Sequence, residues 1–310
     1  MRTRFVLGGG GAMGAYQAGA LLGLLECGIA PDALYGCSAG ALNAAFLASR
    51  PDSRRAADLT TWWLDGSSQA LLSPSWRGHL PALVRARGTA LLDTRALRRV
   101  IQTHVPAHDL SELAVPLSVT TTCLDCAQAR HHVSGPVVDT LVASCALPGL
   151  FAPVRLPDGH VHVDGGVVAG VPLEAALADA GPDDRVVVLD CGLAPVTGRS
   201  ASCAVTSDEA CGLAPLQRGR YAPPQDSGLG PLDTVLRSFT VARAVANRAS
   251  VAGLLDDPRV VVVPHVADAW AAGYLQDVPR GPRDFSQARE LVEAGRRAAV
   301  HCVTASPALR

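Results

Sequence analysis

Gly36-Cys37-Ser38-Ala39-Gly40 spells G-x-S-x-G. In that arrangement a serine sits on a sharp strand-to-helix turn with its hydroxyl exposed at the end of a sheet. Small residues at Gly36, Ala39 and Gly40 keep such a turn free of clashes. The following helix start directs backbone N–H groups and the positive end of its dipole toward the serine. A nucleophilic serine also needs a base and a hole for the oxyanion. Gly9, Gly10 and Gly11, ahead of Gly14, can turn their N–H groups to one point because no side chain blocks them, and the Ala39 N–H adds to them. Asp164, followed by Gly165 and Gly166, is the candidate base. A carboxylate at a strand end, with two glycines behind it, can be brought beside another loop at the same sheet edge. A partly desolvated carboxylate is adequate for taking the serine proton.

Other chemistries compete for the same residues. Gly9 to Gly14 also satisfies G-x-G-x-x-G between a strand and a helix, a dinucleotide fingerprint. That fingerprint wants an acidic residue at the end of the second strand, where this chain has Gly36-Cys37-Ser38; no nucleotide cofactor is expected. His160, His162 and Asp164 alternate along one strand and so share a face. A metal site or a triad histidine is conceivable there, but the plainer reading is two histidines on an exposed hairpin face. Cys123-Leu124-Asp125-Cys126 is a C-x-x-C without a second pair at zinc-ribbon spacing. No metal and no cofactor is expected.

The elements needed to position these groups are legible. Thr3–Leu7 and Ala33–Cys37 read as short buried strands, each followed by a loop and a helix (13–27 and 39–48). Two strand–loop–helix units in tandem point to a parallel α/β sheet. Further helices are expected at 54–64, 94–104, 137–145, 172–180, 232–255 and 284–303, and strands at 115–123, 185–190 and 260–263. Residues 154–156 and 160–163 read as a hairpin. Pro74 and Pro81 mark irregular chain, and residues 193–231 a long irregular loop rich in Gly, Pro and Ser.

Bulk properties narrow the function classes. The 310 residues are 48% hydrophobic and 18% charged, enough for a substantial core. A formal net charge of −1 gives no general field for nucleic acid, so no nucleic-acid partner is expected. Nine cysteines, an odd number at irregular spacing, do not suggest a disulfide framework; Cys203 and Cys211 are near enough to pair, but nothing demands it. A cytoplasmic location is expected. The uncharged stretch from Phe5 to Leu25 is broken by clustered glycines and by Tyr16 and Gln17, unlike a signal or a membrane span.

Taken together, the glycine loop, G-x-S-x-G and D-G-G resemble a patatin-like phospholipase. So do "GAYQAGALLGLLE", "GCSAGALNAAFLA", "ASCALPGLFAPVRL", "HVDGGVVAGVPLEAAL" and the closing "DFSQARELVEAGRRAA". The resemblance covers about 5–180 and again 232–300. It implies a single domain over 1–310 with a three-layer α/β/α fold around a mostly parallel central sheet. It also implies metal-free hydrolysis of lipid acyl esters by a serine–aspartate dyad. Carried over, Ser38 is the nucleophile, Asp164 the base, and Gly9, Gly10 and Gly11 the oxyanion loop, with Pro148 shaping the approach. The expected partner is a lipid or acyl-ester substrate, with the 193–231 loop the candidate for transient membrane-surface contact. Two positions depart from the family pattern: Met13 stands where Arg or Lys is usual, and Cys37 where Thr is more usual.

Overall fold

The computed structural model describes residues 1–65, 90, 92–192, 231–266, 285–306 and 309. The elements run β1 (Thr3–Leu7), α1 (Gly14–Glu26), β2 (Ala33–Cys37), α2 (Ala39–Ala48), α3 (Ser53–Leu64), α4 (Arg95–His104), β3 (Leu117–Cys123), β4 (Gln128–His132) and α5 (Val137–Ser144). They continue with β5 (Val154–Arg155), β6 (Val161–Asp164), α6 (Leu173–Ala178), β7 (Arg185–Leu189), α7 (Pro231–Val251), β8 (Val260–Val262) and α8 (Ala288–Ala305). The irregular chain expected around Pro74 and Pro81, residues 193–230 of the expected loop and the Cys203–Cys211 pair lie outside the described residues, and Pro231 begins α7.

One sheet runs in the order β5-β6-β3-β2-β1-β7-β8, with β4 also paired to β3. β8, β7, β1, β2 and β3 are mutually parallel, whereas β4 and β6 are antiparallel to β3. The alternation of side chains along each strand feeds two cores. Phe5, Leu7, Leu34, Val187 and Leu189 face a large cluster closed by α1, α2, α3, α4, α5 and α8. Val6, Tyr35, Val186 and Val188 face the other side, under α6 and the end of α7. The result is the expected three-layer α/β/α fold with a mostly parallel sheet. Apolar runs such as Val186-Val187-Val188-Leu189 are buried on both faces, and each such side chain contributes about 1.5–3 kcal/mol.

β4 has no counterpart among the strands expected from sequence. Gln128-Ala129-Arg130-His131-His132 is polar but for Ala129 and mostly exposed, so it lacks the apolar alternation that marks a strand. It is held by its pairing with β3, by side-chain bonds from His131 and His132 to Thr120 and Thr121, and by the His132 ring against His162.

The register along β3 decides where β2 and β6 end. β2 pairs with Leu117 to Thr120, so that Cys37 lies beside Thr120. β4 pairs with Val119 to Cys123 and must therefore occupy the opposite edge of β3. β6 pairs with Thr121 to Cys123, also opposite β4, and so shares the edge used by β2. β2 and β6 thus approach each other end to end: Cys37 sits beside Thr120 and Asp164 beside Thr121.

Candidate active site

Ser38 follows Cys37 at that junction. Its backbone has φ 54° and ψ −124°, a region where a non-glycine residue is strained by about 1–3 kcal/mol. Three features hold it there. Gly36 and Gly40 allow close approach: a Cβ on Gly36 would lie 2.6 Å from Ala41 Cα, and one on Gly40 2.2 Å from the Leu7 carbonyl oxygen. The Ser144 hydroxyl accepts the Ser38 N–H at 2.9 Å and donates to the Thr120 carbonyl at 2.7 Å. Ser144 is fully buried at the end of α5, and no sequence motif marks it.

Asp164 is completely buried. Its Oδ1 accepts the Gly166 N–H at 2.8 Å and lies 3.4 Å from Arg243 Nη2. Its Oδ2 has no hydrogen-bond partner. Arg243, on α7, also donates from Nε to the Gly166 carbonyl at 2.7 Å. It grips both sides of the Asp164-Gly165-Gly166 turn. Gly165 lies against β3, where a Cβ would stand 2.4 Å from the Thr120 carbonyl oxygen and 3.0 Å from Cys37 Sγ. The structure therefore brings Ser38 and the Asp164 turn to one point. It records no hydrogen bond between the two side chains.

The glycine loop also packs against Ser38. Gly9 lies against it, a Cβ there standing 3.1 Å from Ser38 Cβ. Here one expectation is corrected. The Gly9 N–H donates to the Gly170 carbonyl at 2.9 Å and is not free to face an oxyanion. That leaves Gly10, Gly11 and Ala39. Gly11 takes φ 60° at the start of a short 3-10 turn and, with Ala39 and Ser38, lines the cleft. Gly14 starts α1 against the Trp63 ring. Behind the loop a buried chain of hydrogen bonds sets its position. Trp63 Nε1 donates to Asn43 Oδ1, Asn43 Nδ2 to the Gly14 carbonyl and to Gln17 Oε1, and Gln17 Nε2 to the Leu189 carbonyl.

The cleft above Ser38 is lined by Leu42, Trp63, Leu97, Leu147, Phe151 and Phe285 and holds about 480 Å³ counted out to its open mouth. Pro148 is half-buried beside Leu147, in the turn after α5. Cys145 also faces the cleft. Burial, reinforced by the charge of Asp164, pushes the Cys37 and Cys145 thiols well above their ordinary range. Both are held as neutral thiols and do not compete with the serine as nucleophiles.

The two hairpin histidines differ from expectation. His162 is fully buried rather than exposed. Its Nδ1 pairs with Thr121 Oγ1 at 2.9 Å and its Nε2 with Asp158 at 3.0 Å. Both ring nitrogens are engaged, and neither by Ser38. His160 is half-buried and faces Asp125. The described residues thus give Ser38 no histidine partner.

A family model described as patatin-like phospholipase matches residues 5–177. That span is more than half of the chain and contains Ser38 and Asp164. The chain belongs to the patatin-like phospholipase family. Relatives include a patatin-like phospholipase domain-containing protein of Caenorhabditis elegans, 32% identical over 170 residues, which are 54% of this chain and 12% of that protein. Patatin-like phospholipase domain-containing protein 7 of Mus musculus is 28% identical over 172 residues, 55% of this chain and 12% of its own. Neuropathy target esterase sws of Drosophila melanogaster is 29% identical over 170 residues, 54% of this chain and 11% of its own. The chain thus spans only a small part of the length of these relatives. A solved structure, VipD from Legionella pneumophila, overlaps 98% of this chain and 67% of its own at 15% identity, with a TM-score of 0.46, too loose a likeness to carry an argument. Among the described residues of this patatin-like chain no helix is long and apolar enough to cross a membrane.

Proposed function

We propose that this patatin-like chain is a serine acyl hydrolase that cleaves carboxylic ester bonds of lipids through an acyl-enzyme on Ser38. The observation that carries the reading is Ser38 on a strained elbow at the floor of an apolar cleft, with the unpartnered Oδ2 of Asp164 on the strand that ends beside it. An acyl chain lies along Leu97, Phe151 and Phe285 with its carbonyl over Ser38. Asp164 takes the serine proton as Oγ attacks, and the tetrahedral oxyanion is met by the N–H groups of Gly10, Gly11 and Ala39. The leaving alcohol takes the proton back from Asp164. Water, deprotonated by the same carboxylate, then releases the fatty acid. The pocket wall offers little for a polar substrate to bind, which favours acyl esters over small polar ones.

The test is hydrolysis of a chain-length series of p-nitrophenyl esters and of phospholipid vesicles, with fluorophosphonate labelling. The wild type should turn over and label at Ser38. Ser38→Ala and Asp164→Asn should each lose at least about 10³-fold in kcat while folding normally. A wild type that is silent on every substrate and unlabelled at Ser38 would make the fold a lipid- or protein-binding module instead. Full activity in Asp164→Asn would remove the dyad.

A further inference from the structure

At the far end of β6 from Asp164, three side chains from two separate turns converge. Cys123 ends β3, Cys126 closes the turn into β4, and His160 immediately precedes β6. The two sulfur atoms and a ring nitrogen of His160 all lie within 4.8 Å of one another. Cys123 is buried, and the other two are half-buried. We propose that Cys123, Cys126 and His160 bind a zinc ion that clamps the β3–β4 turn to the β5–β6 turn.

The donor set suits that ion. Two thiolates and an imidazole select a borderline-soft metal over calcium or magnesium. In a tetrahedral zinc site, with Zn–S about 2.3 Å and Zn–N about 2.0–2.1 Å, neighbouring donor atoms stand about 3.5–3.8 Å apart. The three donor atoms already lie within 4.8 Å of one another. The turn is already shaped for a sulfur-bound ion. The Cys126 N–H donates to Cys123 Sγ at 3.2 Å, and Ala127 takes φ 54° to turn the chain just past the second sulfur. N–H···S bonds of this kind stabilise negative sulfur, the form a metal needs, and the two thiol protons leave to solvent on binding. Arg130 Nη2 donates to Cys126 Sγ at 3.3 Å and provides an outer hydrogen bond to the same sulfur.

Asp125, between the two cysteines, completes the site. Its Oδ2 accepts the Val161 N–H at 2.8 Å and lies 3.4 Å from His160 Nδ1. A carboxylate on one ring nitrogen orients a ligating histidine and raises its basicity. Water fills the fourth position. The Leu124 N–H bond to the Val161 carbonyl, at 2.8 Å, runs alongside. The ion fixes the start of the strand whose last residue is Asp164, about three residues, or roughly 10 Å, away. Its role is mechanical and lies outside the ester chemistry, so activity is not the readout.

The experiment uses the full-length chain, freed of any affinity tag, with zinc(II) and cobalt(II) salts as probes. Expected are about one zinc per chain retained through dialysis against metal-free buffer, and a fall in Tm on chelation that added zinc reverses. Cobalt(II) should give thiolate charge-transfer absorption, roughly halved in Cys126→Ser. His160→Ala should weaken zinc binding by about 10-fold or more, and zinc should no longer raise Tm in either variant. Should Cys123→Ser fail to fold because its sulfur is buried, the half-buried Cys126 and His160 variants still decide. The proposal is overturned if zinc binds the wild type no better than Cys126→Ser, or equally well after His160→Ala. It is also overturned if alkylation and peptide mapping of the untreated protein find a Cys123–Cys126 disulfide as the resident form.

Discussion

Ser144→Ala tests whether the elbow geometry is held from outside the motif. The Ser144 hydroxyl makes two buried bonds, one from the Ser38 N–H and one to the Thr120 carbonyl. Removing it strands a donor and an acceptor, each at about 1–3 kcal/mol. Relaxation around the small gap recovers part of that, so a loss of about 2–4 kcal/mol in unfolding free energy is expected. Ser38 itself stores about 1–3 kcal/mol of backbone strain. Once its N–H is released, a relaxed elbow competes with the strained one. If about 1.4–2.8 kcal/mol of the restraint is lost, the competent fraction falls about 10- to 100-fold. Urea denaturation and ester kinetics on the same preparations measure both quantities. The predicted pattern is a drop in kcat at nearly constant KM for a short ester, with fluorophosphonate labelling of Ser38 slowed by the same factor. A variant that loses 2 kcal/mol of stability yet keeps its kcat would refute the reasoning, because the bond would then support only the core.

Three further outcomes are expected. Arg243→Leu removes the Nε bond to the Gly166 carbonyl and the charge beside Asp164 Oδ1; kcat should fall about 10-fold or more, with Arg243→Lys restoring only part, in steady-state assays. Phe151→Ala empties part of the cleft wall; it should cost about 3–5 kcal/mol in chemical denaturation and move the preferred p-nitrophenyl ester to a longer chain. Burial first, and then the neighbouring His162, push His132 down to about 4. Between about pH 6.5 and 4 the unfolded chain therefore carries a proton there that the folded chain lacks, and stability falls as pH drops through that window. Allowing for solvent screening the loss is about 1–2 kcal/mol, and His132→Gln should flatten it in urea titrations at the two pH values.

Much of the frame was readable because burial leaves a mark on composition. β1, β2 and β7 are short apolar runs, and Gly10, Gly36, Gly40 and Gly165 sit where chains approach too closely for a Cβ. Ser38 and Asp164 stand out as candidates because an elbow and a D-G-G turn each demand small neighbours in fixed positions. What escaped has no local signature. Arg243 reaches Asp164 from 79 positions away along the chain, on a helix whose sequence carries no motif. Ser144 looks like any helix-end serine until the register of β3 brings Thr120 and Ser38 to it. Alternation alone left His162 on an exposed face, because the sequence does not disclose that Asp158 and Thr121 bond to both its nitrogens. β4 is polar, and its pairing to β3 overrode weak propensity. Gly9 was assigned to the oxyanion hole because the carbonyl of Gly170, which takes its N–H, is distant in sequence.

The end-to-end meeting of β2 and β6 on one edge of β3 makes that strand a ruler for the pair Ser38 and Asp164. Their spacing is set by consecutive rungs, Thr120 and Thr121, and not by the chain that runs between them. The turn at 124–127 is tied to the start of β6 by the Leu124 N–H on the Val161 carbonyl and by Asp125 on the Val161 N–H, so a change of length there is felt along the ruler. A one-residue slip of β6 along β3 would displace the carboxylate by a whole rung and turn it to the opposite face. The scaffold is therefore intolerant of register at a single strand, which makes β3 the place where a redesign of this protein must leave the sequence alone.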